Sequence, residues 1–103
     1  MRNHVEITGT VVHHNNYPNF VKTDGIFELV FHINVPHFPG KRHNYTDNYL
    51  ACEMEFNTEA QAQETLHSLN DGRSVEIIGS LKPKQTQCLA LIHVEVINFP
   101  SVA

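Results

Sequence analysis

Thr58-Glu59-Ala60-Gln61-Ala62-Gln63-Glu64-Thr65-Leu66-His67-Ser68-Leu69-Asn70-Asp71-Gly72-Arg73-Ser74-Val75-Glu76-Ile77-Ile78-Gly79-Ser80-Leu81 switches its hydrophobic period once, from helical spacing to the alternation of a strand. The Thr58 hydroxyl is placed to cap a helix, and Gln61, three residues on, can return a bond to its backbone, the pattern of a capping box. Ala62, Leu66 and Leu69 recur on one helical face while Gln63, Glu64 and His67 point elsewhere, so a helix over about 59–70 buries one narrow stripe. Asn70-Asp71-Gly72 ends it, because Gly72 can take a left-handed backbone at little steric cost. Val75, Ile77, Gly79 and Leu81 then share one side of a strand, in which Gly79 marks a bend or a close backbone approach.

Before this stretch the chain reads as strands. Val5, Ile7 and Val11 alternate with His4, Glu6, Thr8 and Thr10 in a half-buried first strand. His13-His14-Asn15-Asn16-Tyr17-Pro18-Asn19 is polar and reads as a loop. Its adjacent histidines have no carboxylate or cysteine at a recognisable ligand spacing, so no metal site is expected. After a turn at Lys22-Thr23-Asp24-Gly25, Phe27, Leu29, Phe31, Ile33 and Val35 form the inward side of a second strand, with Ile26, Glu28, Val30, His32 and Asn34 outward. Pro36 and Pro39 end it. Gly40-Lys41-Arg42-His43-Asn44 makes a basic hairpin tip flanked by Phe38 and Tyr45. The third strand turns Leu50, Cys52, Met54 and Phe56 inward and Tyr49, Ala51, Glu53 and Glu55 outward.

Folding these two strands about a turn near Lys41 sets Asn34 opposite Tyr49, His32 opposite Ala51, Val30 opposite Glu53 and Glu28 opposite Glu55. The outer face is therefore polarised. Aromatic and basic groups gather at its loop end and three carboxylates at the other, so a polyanion is expected to cross near the loop. Beyond the fourth strand, Lys82-Pro83-Lys84-Gln85-Thr86-Gln87 reads as a second loop with two more cations. The last strand, Leu89 to Phe99, is aliphatic on both sides. That pattern predicts either an outer face covered by a second subunit or a bulge that shifts the alternation.

With 103 residues, 41% hydrophobic and 17% charged, the composition predicts one domain, residues 1–103, with one core. No apolar run approaches the roughly 20 residues of a membrane span, and Met1-Arg2-Asn3-His4 is unlike a signal peptide, so a cytoplasmic protein that does not engage the membrane is expected. Cys52 and Cys88 lie in strand-like contexts and read as buried free thiols. No nucleophile elbow, phosphate loop or paired catalytic motif occurs, and neither an enzyme nor a bound cofactor is expected. The formal net charge of −4 opposes polyanion binding in total. The local potential over one face decides it instead.

Gly72-Arg73-Ser74-Val75-Glu76-Ile77-Ile78-Gly79-Ser80-Leu81, preceded by Leu66 and Leu69, resembles the segment entering the fourth strand of bacterial single-stranded DNA-binding proteins and of primosomal replication protein B. Val5-Glu6-Ile7-Thr8-Gly9-Thr10-Val11-Val12 resembles their first strand, and the order of elements from Val5 to Phe99 is similar throughout. The resemblance implies an all-β, five-stranded Greek-key barrel with one helix closing an end between strands three and four, the oligonucleotide/oligosaccharide-binding (OB) fold. It also implies single-stranded DNA as ligand, a role in DNA replication, repair or recombination such as the primosome, a homodimer or homotetramer, and contacts with replication proteins. In the similar proteins, bases stack on aromatic residues of the long hairpin and the strand after it, where Phe38 and Tyr49 fall. Lys41, Arg42, Lys82 and Lys84 match their basic loop residues in kind, and Tyr45 flanks the same tip.

The sequence departs from those families in having no tryptophan and a negative net charge. It ends Pro100-Ser101-Val102-Ala103, without the acidic tail through which longer relatives recruit partners, and in this it is more similar to primosomal replication protein B or to a small plasmid- or phage-type relative. An OB-fold protein-interaction module that binds no nucleic acid is the alternative reading, favoured by net acidity and disfavoured by the basic hairpin.

Overall fold

The computed structural model describes residues 3–35, 49–84 and 89–100, with the backbone alone at 84, 89 and 90. Six strands and one helix follow in the order β1 (Val5–Val12), β2 (Asn19–Thr23), β3 (Ile26–Asn34), β4 (Tyr49–Phe56), α1 (Glu59–Ser68), β5 (Ser74–Lys84) and β6 (Leu89–Asn98). β1 pairs with both β5 and β3, and β5, β6, β4 and β3 pair in turn, so five strands form a closed ring with β2 added outside on β3. A ring of five with the helix between its third and fourth strands is the arrangement expected of the OB fold. Among the described residues no helix is long and apolar enough to cross a membrane.

Leu29, Phe31 and Ile33 of β3 fill the ring with Val11, Cys52, Val75, Ile77, Ile92 and Val94, each at most 3% exposed. Alternation on β3 therefore reads as expected. Burial pushes the Cys52 thiol up to about 12, so this free cysteine is an apolar core group rather than a thiolate; Cys88 lies outside the described residues. Leu50 differs from expectation. It points inward by phase but is 39% exposed, because among the described residues β4 meets β6 only at Cys52 and Glu53, short of its first residues.

The sixth strand is a departure with a clear cause. Asp24 and Gly25 both have positive φ, 51° and 81°, which makes the two-residue turn that matches strand twist and lets Asn19–Thr23 return along β3. Phe20 is the one apolar residue of β2 packed against the core, against the Phe27 ring at 5.8 Å, too little for the strand to show as alternation.

The Thr58 hydroxyl caps α1 by accepting from the Gln61 N–H at 3.3 Å, and Ala62 is the helix's fully buried residue. The helix stops at Ser68, earlier than expected. Leu69 is its C-cap, and Gly72, with φ 84°, serves the following turn, in which the Arg73 N–H donates to Asn70. Gly79 does mark a close approach: an added Cβ would run into the His93 carbonyl oxygen. There the β5–β6 register shifts, with Ile78 opposite Val96 but Gly79 opposite Val94, leaving Glu95 as the extra residue. This bulge explains the two-sided apolar pattern of β6, since buried positions are Ile92 and Val94 before it, and the partly buried Ile97 and Phe99 follow in the opposite phase.

β5 is longer than expected. Lys82, Pro83 and Lys84 are ladder residues opposite Leu91, Ala90 and Leu89, not a loop. Beyond Gly79, where the pairing with β1 ends, one side of β5 has no strand beside it among the described residues, and a proline is tolerated there. The Asn3 carboxamide covers part of that side through two bonds to Leu81, of 2.8 and 2.9 Å.

Candidate nucleic-acid interface

The β3–β4 register is the one expected from the sequence: Asn34 faces Tyr49, His32 faces Ala51, Val30 faces Glu53 and Glu28 faces Glu55. The outer face is thus divided between rings at one end and carboxylates at the other.

The ring end is completed by a segment that reads as an irregular loop in sequence. Asn15 and Asn16 take φ of 49° and 69°, the pair of left-handed residues of a two-residue hairpin turn, which asparagine tolerates better than most side chains. His14 and Tyr17 close the turn as a pair, each N–H donating to the other's carbonyl at 3.1 and 3.0 Å. Residues directly paired this way project to the same side. Their rings therefore land together on the β3–β4 face. The His14 ring lies 5.0 Å from that of Tyr49 and 5.9 Å from that of His32, and Tyr17 lies 5.4 Å from His32.

The base of the turn is fastened to the end of α1. His13 donates its N–H to Asp71 at 3.0 Å, and its ring Nε2 is 2.7 Å from the Leu69 carbonyl, which places the proton on that nitrogen. Two further backbone bonds cross the same junction, the Gly72 N–H donating to the Val11 carbonyl and the Val11 N–H to the Arg73 carbonyl, both at 2.8 Å. The backbone that carries the four rings is thus held by pairing on two sides.

The carboxylate end is set by ring closure. β4 runs parallel to β6 only at Cys52–Ile92 and Glu53–His93, and this short seam buries Glu53 to 3% exposure. The Lys82 ammonium donates to Glu53 Oε1 at 2.8 Å, and His93 Nδ1 lies 3.4 Å from the same oxygen. Burial would raise the Glu53 carboxyl, but hydrogen bonds from Glu28, Lys82 and His93 outweigh it and hold Glu53 below the usual carboxylate range. Glu28 moves the other way: its hydrogen bond to Glu53, then burial and the Glu53 charge, favour its protonated form. The same interaction with Glu53 raises Lys82.

Glu53, Glu55 and His93 also bring three potential ligand atoms within 4.8 Å of one another, a grouping that no spacing in the sequence reveals because it spans β4 and β6. The Lys82 ammonium already supplies a cation there.

Of the residues expected to form the interface, Tyr49 stands in the ring cluster and Lys82 stands at the carboxylate end on Glu53. Phe38, Lys41, Arg42 and Tyr45 lie outside the described residues, and Lys84 is described only as a backbone position of β5. His14 and Tyr17 were not singled out by sequence reasoning. The signal was present in Asn15-Asn16, two residues that accept positive φ between two ring-bearing neighbours.

No protein-family model and no curated protein sequence matches this chain. Solved structures do. The N-terminal domain of a PriB protein from Thermoanaerobacter tencongensis, described as dimeric, is 22% identical over 97% of this chain and 98% of its own, with a TM-score of 0.66. The single-stranded DNA-binding protein of Thermus aquaticus is 16% identical with a TM-score of 0.69; it is covered over 42% of its length, so this chain spans less than half of it. A small single-stranded DNA-binding protein from Streptomyces coelicolor is 19% identical over 97% of this chain and 95% of its own, with a TM-score of 0.58. At these identities what is shared is the backbone arrangement. The chain has the OB fold, in the form taken by PriB and by single-stranded DNA-binding proteins.

Proposed function

We propose that this chain binds single-stranded DNA as a protein of the SSB/PriB type, acting without catalysis in DNA replication, repair or recombination, in the cytoplasm and as a homodimer or homotetramer. The observation that carries the reading is the cluster of Tyr49, His32, His14 and Tyr17 on the β3–β4 face, the face through which OB folds bind oligonucleotides. Bases stacked on aromatic rings contribute roughly 1–3 kcal/mol each, with little regard to sequence. Phe38 and Tyr45 extend the stacking surface in this reading, and Lys41, Arg42 and Lys84 supply phosphate contacts. Lys82 contributes only where phosphate competes with Glu53 for its ammonium.

Few cations imply a shallow salt dependence, since each phosphate neutralised contributes a slope of about −0.7 for single strands. Such an interface gains from presenting several copies together, and the dimeric PriB domain supports self-association here. Fluorescence-anisotropy titration with single-stranded and duplex oligonucleotides of equal length at low salt tests the reading, beside sedimentation for subunit number. Preference for the single strand, lost in Tyr49→Ala with folding intact, is the expected result. Absence of binding even at low salt overturns it in favour of an OB-fold protein-interaction module, whose contact surface would be the carboxylate end.

A further inference from the structure

Histidines outnumber lysines and arginines together in this chain, 8 to 7, so much of the positive charge open to it depends on pH. The permanent cations sharpen the point. Lys22, Arg73 and Lys82 carry the lysine and arginine side chains among the described residues, and each is engaged away from the ring cluster. Lys22 lies over the Phe27 ring at 5.5 Å, Arg73 lies over Phe99 at 4.2 Å and donates to the Ser68 carbonyl, and Lys82 holds Glu53. Among the described residues, the groups of the platform that can become cations are His14 and His32.

The two histidines are placed differently. His32 is half-buried against the rings of both His14 and Tyr17. His14 is exposed, with its ring 5.0 Å from that of Tyr49, so a base stacked on Tyr49 brings its phosphate to the neighbouring His14 ring. Backbone pairing with Tyr17 across Asn15 and Asn16 fixes His14 in that place.

Its surroundings leave a charge on His14 free for phosphate. Tyr49 faces it from β4 and His32 from β3, Tyr17 shares its turn, and His67 of α1 lines the groove on its other side. Asp71, fastened to the base of the turn, accepts the His13 N–H, and the His13 ring is bound to the Leu69 carbonyl. His32 stands opposite Val12 on β1 and Ala51 on β4; beyond it come Val30 opposite Glu53, and Glu28 opposite Glu55. Glu53 is already held by Lys82 and His93. None of the ion pairs among the described residues involves His14.

We propose that protonated His14 is a phosphate-binding cation of this interface, so that single-strand binding takes up a proton at the ring platform and tightens as pH falls from about 8 to about 5.5. The inference rests on the platform being the binding face, and it adds regulation of that face by pH. A phosphate beside an imidazole favours its charged form, and protonation then favours binding by the same factor. One proton changes affinity by at most about tenfold per pH unit. The added phosphate contact steepens the salt slope at the acid end by about 0.7.

Anisotropy titrations of labelled oligo-dT, whose thymines keep their protons throughout, test this between about pH 5.5 and 8 at several salt concentrations, with circular dichroism to verify folding at each pH. The parent should bind roughly tenfold more tightly at the acid end, with the steeper salt slope. His14→Phe keeps a ring on the turn without a charge and should lose both the rise and the steepening. His14→Arg carries a permanent charge; it should bind at about pH 8 as the parent does at the acid end, with little pH dependence. Glu28→Gln, at the carboxylate end, should keep the parent's rise.

If either His14 variant keeps that rise, His14 is not the cation. Loss of the rise in Glu28→Gln places the proton at the carboxylate end and overturns the inference equally. A parent that binds without pH dependence, while Tyr49→Ala binds more weakly, removes this inference and leaves the platform reading standing. A parent that binds no oligo-dT at any pH removes both.

Discussion

The two ends of the β3–β4 outer face are built from the same two strands in the same register, yet they solve opposite electrostatic problems. At one end Tyr49 and His32 are joined by His14 and Tyr17 from a tight turn, giving a surface of rings. At the other, Glu28, Glu53 and Glu55 crowd together, and the fold manages them with Lys82 and His93 on Glu53, while the neighbouring Glu53 raises the Glu28 carboxyl. The contrast teaches how a chain of net charge −4 can keep one end of a face apart from its cluster of Glu28, Glu53 and Glu55. Its negative charge on this sheet is segregated and partly neutralised internally, so the total charge says little about the ring end.

The largest expected effect destroys the comparison altogether. Phe31 is fully buried in the core under this face, and Phe31→Ala should cost about 3–5 kcal/mol in chemical denaturation through lost burial and a residual cavity. Both ends should fail together, whereas the remaining substitutions should separate them.

Tyr49→Ala addresses the ring end. It should weaken single-strand binding by roughly 1–3 kcal/mol, read by anisotropy as about 5- to 150-fold, with the salt slope and the melting temperature close to the parent's. A melting temperature that collapses would show that Tyr49 is a packing residue and that the ring end is structural.

Lys82→Met addresses the other end by leaving the buried Glu53 carboxylate without its ammonium. Because Lys82 is 53% exposed, the loss at neutral pH should be about 1–2 kcal/mol, smaller than for a fully buried pair. Its pH dependence is set by Glu53. A carboxylate held below the ordinary value of 4.5 contributes stability that is present above that value and disappears as pH falls through the folded-state value. The gap between parent and variant should therefore be full at neutral pH and close at acid pH in thermal unfolding. A gap that persists at acid pH would mean that Lys82 acts through packing.

Glu28→Gln should give the smallest change, in the opposite sense. Glu28 lies opposite Glu55 and is raised by the neighbouring Glu53, and like charges so placed destabilise a sheet by roughly 0.2–1 kcal/mol. Since the Glu28 carboxyl is raised above 4.5, its protonated form is favoured by folding, and that stability is lost as pH rises through the folded-state value. Glu28→Gln should thus be more stable than the parent at neutral pH and indistinguishable from it at acid pH. Equal melting temperatures across the whole range would remove the carboxyl pair from the account.

Local signals carried much of this into view. The Thr58 cap, the Ala62-Leu66-Leu69 stripe, the alternation of β3 and the β3–β4 register all depend on periods of 3.6 and 2 and on the midpoint of a hairpin, which are properties of neighbouring residues. The same register assigned Tyr49 and His32 to one end of the face and the carboxylates to the other. Asn19–Thr23 escaped notice because a five-residue strand with one inward apolar side chain has no period to read.

Tertiary structure alone decided what the two ends do with those residues. The parallel seam between β4 and β6 joins Glu53 to His93, forty positions away, and Lys82 comes up from β5, turning an expected solvated charge into a buried carboxylate paired with a half-exposed ammonium. The pairing of β1 with β3 at Val12 and His32 carries the His14–Tyr17 turn onto the sheet and sets its rings beside Tyr49. Sequence by itself determined the inward face of β3, the capped helix with its narrow stripe and the β3–β4 register, because burial and backbone pairing repeat at short range. Which outer residues meet depended on closing the ring, since contacts between strands distant in the chain have no counterpart in local periodicity.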